Sequence, residues 1–204
     1  MNIVAFGAHP DDVEVLMGGT IAKYKAKGHN TTMVLVSSGS AKNTSRLEES
    51  QEAARILGAE LVFLDIDPFQ LQFGRKLVGT FDEVLDKLVP DVVFTHWIGD
   101  SHNDHRAVTE AVTASSRRNS FSLLMYEQAF PGGITYSPFR PQVFVNITKH
   151  IEVKKRSVLA HKSQVADFTE QWIRGIVGRA SYYGFLVGCE YAEAFEVIKL
   201  LDPI

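Results

Sequence analysis

Two short stretches concentrate imidazoles and carboxylates: His9-Pro10-Asp11-Asp12-Val13-Glu14, and His96-Trp97-Ile98-Gly99-Asp100-Ser101-His102-Asn103-Asp104-His105. These are the ligand types of a catalytic zinc, which takes three protein ligands and keeps a fourth position for water. His9 and Asp12 lie three apart, so a turn of the backbone lets both reach one ion, and His105 can complete the set from the second stretch. A plainer reading is helix capping. Asp11 followed by Glu14 resembles an N-cap with an acidic first turn, and Asp104 fits the same role. Capping gives work to one Asp per helix and leaves the second carboxylate and the histidines beside it without a task. The spacing therefore favours a metal site.

For one ion to see both stretches, the fold must bring them to one place. Short β-branched or apolar runs alternate with segments of helical period along the whole chain. The strands expected are Asn2–Phe6, Thr31–Ser37, Glu60–Asp65, Asp91–Thr95, Ser122–Tyr126, Val143–Asn146 and Ala194–Lys199, most of them continuously apolar, as strands covered on both faces are. Val13, Leu16, Met17, Thr20, Ile21 and Tyr24 form one helical stripe that Gly28 can close. Further helices are expected from near Ser45 to before Gly58, through Leu77, Phe81, Val84, Leu85 and Leu88 up to Pro90, from Asp104 to about Arg118, and over Thr148–Leu159 and Asp167–Tyr183. Repeated strand–helix–strand units imply right-handed crossovers and an α/β fold, a Rossmann-like doubly wound, mainly parallel sheet with helices on both faces. Ligands of such sheets sit beyond the carboxyl ends of the strands, where both stretches fall.

Composition narrows the function classes. With 204 residues, 45% hydrophobic and 22% charged, the chain reads as a single domain over 1–204 that buries about 70% of its extended surface without metal or disulfide support. Any metal is then functional. A formal charge of −3 and no basic block argue against nucleic acid. The lone Cys189 excludes an intrachain disulfide and a cysteine-rich zinc site. The N-terminus has no basic n-region, no apolar run approaches the roughly 20 residues of a spanning helix, and no basic amphipathic helix is evident. The expected setting is cytoplasmic, without stable membrane insertion. Homo-oligomerisation stays open.

His9-Pro10-Asp11-Asp12-Val13-Glu14 followed by Gly18-Gly19-Thr20, with His102-Asn103-Asp104-His105 after the fourth strand, resembles the LmbE-like (PIG-L) family of zinc-dependent N-deacetylases. The likeness continues through Arg46-Leu47-Glu48-Glu49, Ala53-Ala54-Arg55-Ile56-Leu57-Gly58, His161-Lys162-Ser163-Gln164 and Tyr191-Ala192-Glu193-Ala194-Phe195. It implies a hydrolase that removes an acetyl group from an N-acetylglucosamine-type glycoside or conjugate, a small-molecule amino sugar. Carried over, it makes His9, Asp12 and His105 the ligands of one Zn2+, with Fe2+ or Co2+ as substitutes. Asp11 becomes the general base, His102 the electrophilic or acid partner, Asp104 the group that orients His102, and Arg46 a residue facing the substrate. Zinc would polarise the amide carbonyl and acidify water, so no Ser or Cys nucleophile is needed. A protonated His102 beside Asp104 would stabilise the oxyanion, giving a bell-shaped pH dependence. Gly18-Gly19 costs on the order of 2 kcal/mol inside a helix relative to alanine, which implies close packing there.

The remaining residues read more plainly. His96 and His161 fit structural histidines, His29 and His150 the surface, and Arg46 beside Glu48 and Glu49 also fits a solvated face. Phe69, Phe73, Trp97, Phe130 and Tyr136 fall in loops where they either stack on a sugar or simply pack. Trp172 with Phe168 and Ile176 reads as core, and Tyr182 and Tyr183 as candidates to reach the site. Selectivity is expected in the loops Ser40–Arg46, Pro68–Arg75 and Ala129–Arg140. Three rivals stand beside the deacetylase: an amidase for another N-acyl conjugate, a non-catalytic sugar- or nucleotide-binding module that retains the metal, and a metallophosphoesterase. The binding module would not need Asp11 and His102 together, and the phosphoesterase needs ligands for two ions.

Overall fold

The strand register follows from where the apolar runs start and stop. A computed structural model of the chain describes residues 1–39, 44–127, 133, 135, 137–165 and 169–201. The strands are β1 (Asn2–Gly7), β2 (Asn30–Leu35), β3 (Glu60–Phe63), β4 (Val92–His96), β5 (Ser122–Tyr126), β6 (Val143–Asn146) and β7 (Ala192–Lys199), in the order β3-β2-β1-β4-β5-β7-β6. The first five run parallel, and β7 lies antiparallel between β5 and β6. The strand order reverses at the β1/β4 boundary, so the two histidine-bearing stretches leave the sheet side by side at its switch point. β3 is shorter than the apolar run suggests, because Asp65 turns into a left-handed conformation (φ 50°).

Helices cover both faces. α1 (Asp12–Ala26), α2 (Thr44–Leu57) and α5 (Ile151–Leu159) lie on one side; α3 (Arg75–Leu88) and α4 (Asn103–Ser115) lie on the other. Alternation along β1 feeds both cores. Ile3 and Ala5 join Val13, Met17, Ile21, Leu124, Ile147 and Phe195, while Val4 and Phe6 join Leu77, Phe81, Leu85, Val108 and Phe121. The helix expected over Thr148–Leu159 opens as a 3-10 turn before α5. After it come α6 (Lys162–Val165) and α7 (Thr169–Val187), and α7 packs Ile176 and Trp172 against Val15 and Val158. Phe130, Tyr136 and Phe168, parts of the loops beginning at Ser40 and Ala129, and the expected helix start at Asp167 lie outside the described residues.

α1 closes as its sequence predicts, with Gly28 left-handed at φ 82° and donating to Lys25 O. Inside, it is broken at Met17 (φ −146°, ψ 20°). A regular helix would bond the Gly19 N–H to the Val15 carbonyl. Here the Gly19 and Thr20 N–H groups donate to the two carboxylate oxygens of Glu193 (3.0 and 2.6 Å), and the Val15 carbonyl accepts from Lys154 Nζ at 2.8 Å. Lys154 and Glu193 are buried and hydrogen-bonded to each other. A buried ion pair thus stands in for the missing backbone bond. Ile147 packs so close to Gly19 that a Cβ there would come within 2.7–3.0 Å of its side chain, which accounts for the glycine at 19.

Candidate metal centre

The chain leaves β1 through Ala8-His9-Pro10 and enters α1 by way of Asp11, held left-handed at φ 90°, ψ −24°. A non-glycine residue there stores backbone strain, a pattern that recurs at functional sites. Asp11 makes no side-chain cap bond, so capping does not explain it. Asp12 instead reaches back, its Oδ2 accepting the His9 backbone N–H at 2.7 Å.

β4 ends on His96, whose Nε2 accepts the Ala8 N–H at 2.9 Å and whose ring stacks on that of His105. A loop then leads to α4. His102 is its N-cap, with Nδ1 accepting the Asp104 N–H at 3.2 Å. The Asp104 carboxylate, expected beside His102, lies against His9 instead, 2.8 Å from Nε2. The reason is the cap itself: the Asp104 backbone takes His102, and its side chain points across to the β1 end. His105, one residue further, turns inward and pairs its Nδ1 with Asp100 Oδ2 at 2.7 Å, so its Nε2 faces Asp12 Oδ1 at 3.4 Å.

Charge follows this geometry. Burial alone would raise the Asp12 pKa, but His105 and then His96 hold it well below the carboxylate range. Burial also opposes a charge on His105, yet Asp12 and Asp100 raise it to about 10. His96 is lowered to about 4 by burial and by His105. It is a neutral imidazole, and its 3.3 Å approach to Asp12 is not an ion pair. Asp11 is pushed up to about 8, by burial first and by Asp12 second. Burial, His105 and His9 together lower His102. The positive charge expected on His102 is therefore not favoured, and with Nδ1 accepting, the ring carries its proton on Nε2.

Two groups among the described residues have ligand atoms within 4.8 Å of one another, His9/His102/His105 and Asp12/His96/His105. The expected trio is divided between them and joined through His105, with His9 Nδ1 3.8 Å from Asp12 Oδ2. Ligand atoms around a tetrahedral ion with bonds of about 2.0–2.2 Å stand roughly 3.4 Å apart, close to these separations. Imidazole nitrogens gathered round buried carboxylate oxygens fit a borderline divalent ion. His96 is the poor member, because a backbone N–H already occupies its Nε2.

The other candidates are placed as follows. Arg46 on α2 is half-buried, its charge acts on Asp11, and its Nε has no hydrogen-bond partner among the described residues. His161 is fully buried and pairs with Glu14 at 2.9 Å, as a structural histidine would. Trp97 is buried against Phe139, whereas Phe69 and Phe73 are exposed. The Tyr183 hydroxyl donates to Glu127, and Tyr182 is exposed. Asp100, Lys154 and Glu193 were not singled out from the sequence. Asp100 lies inside the His96–His105 run and Glu193 inside the Tyr191–Phe195 run of the family likeness, while nothing in the sequence marks Lys154.

The family profile described as GlcNAc-PI de-N-acetylase (PIG-L) matches residues 4–116, a span that contains both histidine stretches. A diacetylchitobiose deacetylase of Thermococcus kodakarensis is 29% identical over 221 residues, covering 97% of this chain and 83% of that protein. An uncharacterized deacetylase of Escherichia coli is 32% identical over 174 residues, covering 79% and 91%. The crystal structure of a conserved protein from Thermus thermophilus superposes with a TM-score of 0.87 at 26% identity, over 100% of this chain and 97% of that one.

Proposed function

From the premise that this chain belongs to the PIG-L, GlcNAc-PI de-N-acetylase, family, we propose that it is a zinc-dependent hydrolase that removes the N-acetyl group from a soluble amino sugar, an N-acetylglucosamine-type glycoside or conjugate. The observation that carries the reading is Asp12 Oδ1 facing His105 Nε2 at 3.4 Å at the switch point, with Asp11 beside them and not used as a cap. The deacetylase names of the two relatives support the acyl group, and diacetylchitobiose supports the sugar.

His9 through Nδ1, Asp12 and His105 through Nε2 would hold the ion. Bound there, a divalent cation supplies Lewis-acid polarisation of the amide carbonyl and makes water a nucleophile at neutral pH. Asp11 takes a proton from the attacking water and passes it to the departing amine nitrogen, so amide and water become acetic acid and amine, which leave as acetate and ammonium. The His102 Nε2–H donates a hydrogen bond to the carbonyl oxygen as negative charge grows there, and keeps its proton. Asp104 fixes both histidines, His9 by its carboxylate and His102 by its backbone N–H. Arg46 faces the sugar hydroxyls. No acyl-enzyme forms, since no Ser or Cys takes part.

The test is acetate release from free, nucleotide-linked and other soluble N-acetylated sugars, before and after chelation and with zinc restored. Stoichiometric acetate and amine, loss on chelation, recovery with zinc and no pre-steady-state burst are expected. Full activity of the metal-free protein, or a burst of acetate, overturns the mechanism.

A further inference from the structure

Asp100 is 1% exposed and lies outside the residues assigned above, yet both carboxylate oxygens are aimed at the site. Oδ2 meets His105 Nδ1 at 2.7 Å, and Oδ1 accepts the backbone N–H of His102 at 2.7 Å. The residue is itself held on both sides, its N–H donating to Trp97 O at 3.1 Å and its carbonyl accepting from Arg106 at 2.8 Å. We propose that Asp100 is the positioning residue of the metal centre, one carboxylate that orients His105 for metal binding and anchors the backbone of His102 beside it.

An ionised carboxylate only accepts hydrogen bonds. His105 must then carry a proton on Nδ1, which leaves Nε2 as the nitrogen turned toward Asp12. Carboxylate–imidazole contacts of this kind fix the tautomer and ring orientation of a ligating histidine, and losing one costs 10–100-fold in metal affinity. What sets Asp100 apart is its double duty. An amide of the same shape has one accepting oxygen and one donating nitrogen. In Asp100→Asn, whichever way the amide turns, a donor faces either the His102 N–H, and that contact is lost, or His105 Nδ1, which must then accept and move the ring's proton to Nε2, the nitrogen needed for the ion. A brace that served the loop alone would not make His105 depend on it.

The inference rests on His105 being a ligand, and the experiment keeps the two ideas apart. Metal-free wild type, Asp100→Asn and, as a remote control, Asp82→Asn, which loosens the Arg118 contact on the opposite sheet face, are titrated with zinc against a chromophoric chelator. Thermal unfolding of each metal-free form is followed in parallel. Asp100→Asn is expected to bind zinc about 10–100-fold more weakly while still unfolding cooperatively, and Asp82→Asn to bind as wild type does. Zinc affinity in Asp100→Asn within about threefold of wild type overturns the proposal. A wild type without zinc affinity overturns the metal centre itself. Imidazole 15N–1H spectra of wild type add a measurement independent of any variant. A downfield, slowly exchanging Nδ1 proton on His105 is expected, and a ring protonated on Nε2 alone overturns Asp100's hold on it.

Discussion

The ring of His96 lies flat on that of His105, centroids 3.9 Å apart and planes 18° from parallel. Both rings approach Asp12, yet they sit at opposite ends of the histidine range, about 4 and about 10. The difference lies in what surrounds each ring. Burial and then the neighbouring His105 hold His96 down, while Asp12 and Asp100 raise His105 against its own burial.

Replacing the two histidines is therefore expected to have different consequences. His96→Ala opens a cavity and leaves the Ala8 N–H unpaired in the interior, a loss of about 2–4 kcal/mol, with zinc still bound. His105→Ala should lose zinc, as should His9→Ala. Zinc content by elemental analysis, paired with unfolding curves, checks this. Stoichiometric zinc in the His9→Ala/His105→Ala double variant would remove both from the ligand set.

Asp11→Asn should retain zinc and approximate substrate affinity while losing at least about 10²-fold in turnover, the usual scale for a positioned base. Its value of about 8 belongs to the protein without a cation, and a bound divalent ion nearby lowers it. Near-wild-type turnover with zinc bound would take Asp11 out of the mechanism.

His102, held as a neutral cap, changes the expected pH profile. With its pKa lowered by burial and by His105 and His9, activity should rise from acid pH as Asp11 ionises and show no alkaline limb set by a histidine. The profile of kcat/KM for wild type and His102→Gln decides it. An alkaline limb below pH 9 that disappears in His102→Gln would show that protonated His102 is the working form after all.

The buried Glu14–His161 pair predicts a stability trend. Burial opposes a charge on His161, but Glu14 raises its pKa above the ordinary 6.5. A folded value above the unfolded one means that the stabilisation is complete below about pH 6.5 and is lost as pH rises through the raised value. Glu14→Gln should cost about 3 kcal/mol at pH 6, and the difference from wild type should shrink as pH rises above that. Melting curves across that range suffice, and a gap that widens with pH would contradict the assignment.

Much of this was legible in the sequence because ligands and strand ends coincide. Ser122–Tyr126 and Val143–Asn146 stand where their apolar runs placed them, and His9, Asp12, His102 and His105 gather at one switch point. The pairing of Asp104 with His9 was not legible, since it depends on which way a side chain points after the backbone has spent its N–H on His102. Asp100 was hidden for a similar reason: its loop must fold back before the carboxylate meets His105. Lys154 sits in the run Lys154-Lys155-Arg156, which reads as a solvated face, and nothing local marks the first lysine as the buried one.

The break in α1 gives the Lys154–Glu193 pair a direction. A surface ion pair can exchange its charges between positions and keep its attraction. This one is strung between the Gly19 N–H and the Val15 carbonyl, so the carboxylate must stand at the donor end and the ammonium at the acceptor end. In a Lys154→Glu/Glu193→Lys protein the Coulomb attraction would survive, but an anion would face a carbonyl and a cation two N–H groups. The two positions are thus tied to their residue types by the polarity of the peptide backbone at the break in α1.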